Sequence, residues 1–223
     1  MRPVSAIAGV ALAIAAVSAG VETSTPARAT VTYSRASAVN YAHTYACNLN
    51  TSCRNSSYVN LDGSDSTNFV SQVLRAGGIP DDLSGQGFEQ WWYVTYPTSW
   101  SNTWSHAYDL NVYLQANGYA SASRPSLANK FSGANANGGD VYLFDMGKGE
   151  GWSHTAFSTG HETYYPFFDS YLQVNYSSLN GGSGDAISQH AYDRDHAPWN
   201  IGYLTEPDPL VRVRMRVVLL SMH

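Results

Sequence analysis

The sequence carries little charge of either sign. Its 223 residues include 12 Lys and Arg and 17 Asp and Glu, which gives a formal net charge of −5. Proteins that bind nucleic acid cluster basic side chains on one face and interleave them with aromatic rings. No such cluster occurs here; near the C-terminus, Arg212, Arg214 and Arg216 alternate with apolar residues. That alternation predicts a half-exposed strand over residues 211–220, and the composition predicts no nucleic-acid partner.

A long apolar run is also missing. The apolar stretch at residues 6–19 is shorter than the about 20 residues that span a bilayer. It follows Arg2 and precedes Ala27-Arg28-Ala29, a small-x-small sequence typical of a signal-peptide cleavage site. We therefore predict a signal peptide over residues 1–29, a secreted or cell-envelope location and no stable membrane anchor. Residues 30–223 are enough for one domain with a sizeable core, and they contain no internal repeat.

Cysteine is scarce. The two cysteines, Cys47 and Cys53, lie in one polar loop. In an exported protein such a pair predicts a disulfide, and two thiols are too few for a cysteine-based zinc site. The spacing of a C-terminal group of histidines and aspartates matches no known metal site: His161, His190, Asp193, Asp195 and His196. The sequence therefore predicts neither a metal nor a cofactor.

Residues 63–72 are the stretch around which the chain is organised, a loop that turns into a helix. Asp65 can cap the first turn. A buried helical stripe follows, formed by Phe69, Val70, Val73 and Leu74. Ser66 then lies at the start of the helix, where free N–H groups and the helix dipole stabilise a developing negative charge. Ser66 is therefore either a nucleophile or a second capping hydroxyl.

A block of aromatic residues follows this helix. It contains Trp91, Trp92, Tyr93, Tyr96, Trp100 and Trp104. Clustered aromatic rings can line a groove for sugars or peptides, or they can pack a small domain. We favour packing, with Trp91 or Trp100 as the member that faces solvent.

The order of the remaining elements indicates the fold class. Helices are predicted from Ser34 and around residues 106–116, and residues 120–138 are predicted to be loop. Strands are predicted at residues 139–145, 152–159, 171–176, 187–192 and 211–220. Helices followed by antiparallel strands indicate an α+β fold.

Three segments resemble the putative amidase domain family, which comprises secreted bacterial relatives of NlpC-like and papain-like cysteine hydrolases. They are residues 65–72 with Ala76-Gly77-Gly78, then Gly139-Asp140-Val141 with His154, then Gln189-His190 with Asp193-Arg194. The resemblance covers roughly residues 33–200. It implies a single amidase-like domain over residues 30–223, with N-terminal helices packed on an antiparallel sheet.

The resemblance also implies roles for individual residues. Ser66 occupies the position of the family's nucleophile, which is usually Cys, and His154 is the base. His190 is expected to orient the His154 ring, and Gln189 is the alternative. Adjacent strand residues point to opposite faces, so at most one of these two can reach His154. The expected substrate contacts are Asp65, Trp91 and Trp100.

The change from Cys to Ser leaves two functions open. A thiol is readily ionised beside a helix N-terminus and a histidine, whereas a hydroxyl must lose its proton to a base during attack. The chain is therefore either a hydrolase of amide bonds in peptides or cell-wall material, or an impaired relative that binds such a ligand without cleaving it. A structural protein without a ligand is a third interpretation, against which the aromatic block argues weakly.

Overall fold

Three helices cover one face of a six-stranded antiparallel sheet. The structure, a computed structural model, describes residues 31–49, 51–62, 65–129 and 136–223. The predicted signal peptide, as well as Gly63 and Ser64, lies outside these ranges. Within them, residues 31–223 form one compact unit. None of the described helices has the length and apolar character needed to cross a membrane.

The helices and strands follow one another in the predicted general order. The helices are α1 (Arg35–Tyr45), α2 (Asp65–Ala76), α3 (Asn102–Ser105), α4 (Ala107–Ala116), α5 (Ile201–Thr205) and α6 (Pro209–Arg212). The strands are β1 (Tyr93–Thr95), β2 (Thr98–Trp100), β3 (Ala120–Ser123), β4 (Val141–Asp145), β5 (Trp152–Thr163), β6 (Phe168–Asp169), β7 (Val174–Asn175), β8 (Ser183–Gln189), β9 (Arg194–Pro198) and β10 (Arg216–Met222).

The main sheet has the strand order β3-β10-β4-β5-β8-β9, and all of its neighbouring strands are antiparallel. The pairs β1–β2 and β6–β7 are separate two-stranded sheets. Helices packed on an antiparallel sheet confirm the predicted α+β class. The sheet places β5 beside α2, so the two segments singled out by the sequence come into contact.

Both faces of the sheet are covered. Successive strand residues point to opposite faces, and in β4 Val141 and Leu143 belong to the core beneath α1, α2 and α4. Tyr142 and Phe144 belong to a second core on the other face, which includes Trp199. All five residues of β4 are buried, which explains why this strand is apolar without alternation.

Helix α2 is central because it is buried almost throughout. The predicted stripe of Phe69, Val70, Val73 and Leu74 is fully buried, which confirms the helical interpretation. The helix ends where Gly78 adopts a φ of 101°, a left-handed conformation that glycine adopts without a steric penalty. The predicted capping role of Asp65 is wrong, because Asp65 is the first residue within the helix.

Strand boundaries differ from the predictions where local signals were weak. Residues 120–138, predicted to be loop, begin with the edge strand β3, which is built from Ala and Ser and pairs with β10. The strand predicted at residues 171–176 is reduced to β7. The strand predicted at residues 187–192 is β8, which begins at Ser183 and ends before His190. Strand β9 was not predicted.

The C-terminal strand begins later than the alternation of arginines indicated. Asp208 caps α6, its carboxylate accepting a hydrogen bond from the Leu210 N–H at 2.8 Å, and Pro209 begins the helix. Arg212 therefore lies in a helix, and of the three arginines only Arg216 belongs to the strand. A strong helix start at Asp208-Pro209 overrides the period-2 pattern.

Half of the aromatic block is core: Trp91, Tyr93 and Trp104 are buried, whereas Tyr96 is exposed. Trp91 has no exposed surface, its ring centroid lies 5.0 Å from that of Trp104, and its Nε1–H donates to Ser71 Oγ at 3.2 Å. Ser71 in turn donates to the Trp104 carbonyl at 2.8 Å. The preference for packing is confirmed, and the prediction that Trp91 faces solvent is wrong. Trp100 is half-buried.

We expect Ser71→Ala to destabilise the fold by about 1–3 kcal/mol, because the buried Trp91 N–H loses its acceptor. Urea unfolding followed by tryptophan fluorescence measures the change. Ser121→Ala, at an exposed serine of β3, is the matched control and should change the free energy of unfolding by less than about 0.5 kcal/mol. Equal stabilities for the two variants would contradict the assigned hydrogen bond.

Candidate active site

Ser66 is the second residue of α2 and lies directly against β5. Its side chain is buried, and Ser66 Oγ accepts a hydrogen bond from the backbone N–H of Thr155 at 3.4 Å. The hydroxyl of Thr155 donates to that of Thr67 at 3.3 Å. These contacts fix the first turn of α2 beside the residue that follows His154. In the part of the chain that the structure describes, no hydrogen bond joins Ser66 to His154.

His154 is held by Gln189 on the neighbouring strand. Its Nε2 lies 3.0 Å from Gln189 Oε1. An amide oxygen only accepts hydrogen bonds, so Nε2 carries the proton and Nδ1 keeps a free lone pair. The imidazole is half-buried, and its centroid lies 6.0 Å from the ring of Phe144. The pair therefore presents a basic nitrogen in a fixed tautomer.

The surroundings of His154 favour its neutral form. Burial lowers its pKa to about 4, although the hydrogen bond with Gln189 acts in the opposite direction, and the positive charge of Arg194 lowers it further. A buried imidazole resists protonation because the charged form loses its hydration. At neutral pH, His154 can therefore accept a proton.

His190 does not orient His154. Its Nδ1 lies 2.6 Å from Asp65 Oδ2, and its Nε2 lies 2.8 Å from the carbonyl oxygen of Tyr45. The ring stacks on Phe69 with centroids 4.1 Å apart. Because β8 ends between Gln189 and His190, the two side chains diverge, and His190 turns towards α1 and α2. The preference for His190 over Gln189 as the partner of His154 is therefore wrong.

Arg54 completes a buried charge network at the start of α2. Its Nε and Nη2 donate to Asp193 at 2.9 and 2.8 Å, and its Nη1 lies 3.2 Å from Asp65 Oδ2. The predicted disulfide between Cys47 and Cys53 is confirmed and closes the loop that precedes this arginine. Bidentate pairing of Arg with a carboxylate is among the stronger ionic contacts in proteins.

The carboxylate of Asp65 is directed entirely at protein groups. Burial raises its pKa, but hydrogen bonds from His190, Asn68 and the Leu61 amide lower it more, so the net pKa lies below its ordinary value. The predicted substrate contact through Asp65 is corrected accordingly: the side chain fixes the start of α2. The predicted contact through Trp91 is corrected as well, because that ring is fully buried.

A cleft of about 1330 Å³ opens beside His154 and Gln189. Its aromatic lining includes Trp100, Tyr108, Trp152, Tyr171, Tyr192 and Trp199. Trp100 lines the cleft, and its contact with a substrate stays a prediction. Thr67 borders the cleft, whereas Ser66 is 3% exposed just behind it.

The stacked pair of Tyr171 and Tyr192 was not predicted. Their ring centroids lie 4.4 Å apart and their hydroxyl oxygens 3.2 Å apart. Arg194 lies over the Tyr192 ring, 4.9 Å from its centroid. The Asp193-Arg194 pair was already singled out in the sequence, but nothing linked it to Tyr171, which comes from a separate loop. Apart from its place next to Cys53, nothing in the sequence indicated that Arg54 belongs to the site.

Comparison with known proteins identifies the family of the chain. A family model described as a putative amidase domain matches residues 32–213. No significant match exists among the curated proteins or the solved structures compared with the chain. The family match spans α1 through α6, including both strands that hold His154 and Gln189, and it covers well over half of the chain. The protein belongs to the putative amidase domain family.

Proposed function

We propose that the protein is a secreted or cell-envelope hydrolase of amide bonds in which Ser66 is the nucleophile, His154 the base and Gln189 the residue that orients the base. The observation that carries the proposal is the His154–Gln189 hydrogen bond of 3.0 Å beside the first turn of α2. A nucleophile, a base and an orienting group are the three parts of a covalent hydrolase site.

The reaction follows from these positions. His154 Nδ1 takes the proton of Ser66 Oγ as the oxygen attacks the amide carbon, and the N–H groups of the first turn of α2, which have no partner within the helix, stabilise the oxyanion. The imidazolium then gives its proton to the leaving amine. Water cleaves the resulting ester by the same route. For attack, Ser66 Oγ must exchange its contact with the Thr155 N–H for one with His154.

The cleft supports peptides or cell-wall peptides as the substrate class. Aromatic rings such as Trp100 and the Tyr171–Tyr192 stack offer flat apolar surfaces for peptide side chains or sugar faces. Arg194 also lines the cleft, but its Nε donates to Asp169 Oδ2 at 2.7 Å, so its charge is already paired within the protein. Substrate would lie along these residues with its scissile bond near His154.

A ligand-binding protein without hydrolytic activity is the second candidate. It is favoured by the position of Ser66, which is 3% exposed and bonded to the Thr155 amide rather than to His154. In that case the cleft holds the same peptide or cell-wall ligand, and His154 and Gln189 serve as polar contacts to it.

Substitution of Ser66 separates the two candidates. We expect the native protein to release fragments from purified cell wall or from cell-wall peptides, and Ser66→Ala to lower kcat/KM by at least about three orders of magnitude. Product release followed by mass spectrometry is the measurement. Ser153→Ala, at an exposed serine of the same cleft, is the control and should retain activity.

Two outcomes decide against Ser66 as a working nucleophile. Activity that survives Ser66→Ala would place the nucleophile elsewhere. A silent native protein combined with an active Ser66→Cys variant would show an intact site without a competent nucleophile, and the binding function would then be the better conclusion.

Gln189→Ala should mainly lower activity, whereas His190→Ala should mainly lower stability. We expect Gln189→Ala to lower kcat on the order of 100-fold, because the His154 ring loses its orientation, with a change in unfolding free energy below about 1 kcal/mol. His190→Ala should cost about 1–3 kcal/mol, because it removes a buried hydrogen-bond partner of the Asp65 carboxylate. Activity assays and urea unfolding of both variants measure these effects. A His190→Ala variant that folds stably but lacks activity would contradict this assignment and support a role for His190 in the reaction.

The pH profile tests the state of His154. A base with a pKa of about 4 is neutral above that value, so kcat/KM should stay level from pH 8 to pH 6 and fall with an acidic limb near pH 4. The fold must be monitored at each pH by circular dichroism. Asp65 has a lowered pKa, so its stabilisation is present above the ordinary value of about 3.9 and is lost as the pH falls through the native value. An acidic limb near pH 6.5 in folded protein would contradict the desolvation of His154.

A further inference from the structure

A second cluster of polar side chains joins α1 to the sheet. It consists of His43 in the last turn of α1, Glu162 on β5 and His196 on β9. One nitrogen or oxygen atom from each lies within 4.8 Å of the others. The side chains are 28%, 19% and 36% exposed respectively. None of these residues lines the cleft, so the cluster is separate from the candidate active site.

The two imidazoles lie parallel between two carboxylates. Their ring centroids are 4.3 Å apart at an interplanar angle of 12°. Along one edge, Glu162 contacts His196 Nδ1 and lies 3.9 Å from His43 Nε2. Along the opposite edge, Asp195 lies 2.9 Å from His43 Nδ1 and 3.4 Å from His196 Nε2. Each histidine therefore directs one nitrogen at Glu162 and the other at Asp195.

Asp195 is itself fixed in place. Its backbone N–H donates to Asn48 Oδ1 at 2.8 Å, and the hydroxyl of Ser188 donates to its Oδ1. A carboxylate that accepts the N–H of a histidine fixes the tautomer and turns the other nitrogen, with its lone pair, towards a metal. Asp195 can do this for both histidines at once, which leaves His43 Nε2 and His196 Nδ1 as ligand atoms beside Glu162.

We propose that His43 Nε2, His196 Nδ1 and the Glu162 carboxylate bind one divalent ion of the zinc class, with Asp195 as the outer carboxylate and water in the fourth position. Zinc takes imidazole nitrogens and carboxylate oxygens at about 2.0–2.2 Å in a tetrahedral arrangement, in which ligand atoms are about 3.3 Å apart. Binding would turn the two rings out of their parallel stack, because the in-plane lone pairs of stacked imidazoles run parallel and must converge on a common ion. The partial exposure of the three ligands gives the ion and a water access to the site.

The ligand types select the ion. Ca²⁺ and Mg²⁺ prefer six or more oxygen ligands, whereas two imidazoles and one carboxylate suit Zn²⁺ and its transition-metal neighbours. Because the ligands come from α1, β5 and β9, the bound ion would fasten the N-terminal helix to two strands of the sheet. The spacing considered in the sequence did not include His43 or Glu162, so it could not reveal this group.

Zinc binding by the chelator-treated full chain tests the proposal. We expect isothermal titration calorimetry with zinc chloride to show one equivalent bound. The midpoint temperature of thermal unfolding should rise by about 5–10 °C at a zinc concentration 100 times the dissociation constant. His43→Ala, His196→Ala and Glu162→Gln should abolish this zinc-dependent shift. Asp195→Asn should raise the dissociation constant about 10- to 100-fold, as loss of an outer-shell partner does elsewhere.

His161→Ala is the matched control. His161 neighbours Glu162 on β5, is 54% exposed and lies 3.5 Å from Asp185, and its removal should leave zinc affinity unchanged. Circular dichroism of each metal-free variant shows which ones fold, and Glu162→Gln keeps the size of the side chain for this purpose. Absence of zinc binding by the native protein overturns the proposal. So does zinc binding that survives in folded His43→Ala and His196→Ala, or that is lost in His161→Ala.

Discussion

The buried contact between Asp65 and His190 is the interaction on which the rest of the site depends. The two side chains meet at 2.6 Å with almost no exposed surface, and the Arg54 guanidinium contacts the same carboxylate. Asp65 is the first residue of α2 and His190 follows directly after β8, so this contact sets the position of the helix start relative to the sheet. An uncompensated charge here would be costly, because the surroundings hold little water. The network therefore keeps Ser66 beside β5.

The same contact explains how two adjacent residues serve different purposes. His190 turns inward to α2, which directs Gln189 to the opposite side of the chain, where it meets His154. The division follows from the end of β8 between the two residues, where the chain turns and His190 leaves the strand. In the sequence, both residues were candidates for the same task. The choice depended on Asp65, whose carboxylate was interpreted as a helix cap and is instead the partner of His190.

The parts of the fold that could be predicted are those with strong local signals. The stripe of α2 and the apolar β4 were correctly predicted because burial on one face or on both leaves a periodic or continuous apolar pattern. Strand β3 was missed because Ala and Ser carry little strand preference, and its pairing with β10 decides its structure. The tyrosine stack and the cluster around His43 could not be predicted from the sequence, because each joins side chains from elements that are distant along the chain.

The electrostatic surroundings of His154 bear on the role proposed for Ser66. A resting thiolate–imidazolium pair needs a protonated histidine, and burial together with the nearby Arg194 disfavours that charge. A serine site needs no charge at rest; it needs a neutral imidazole that becomes charged only as the oxyanion forms. The low pKa of His154 therefore agrees better with proton transfer during attack than with a pre-formed ion pair. In the proposed mechanism, Ser66 therefore works with a neutral His154, and its hydroxyl must first exchange its contact with the Thr155 amide for one with that ring.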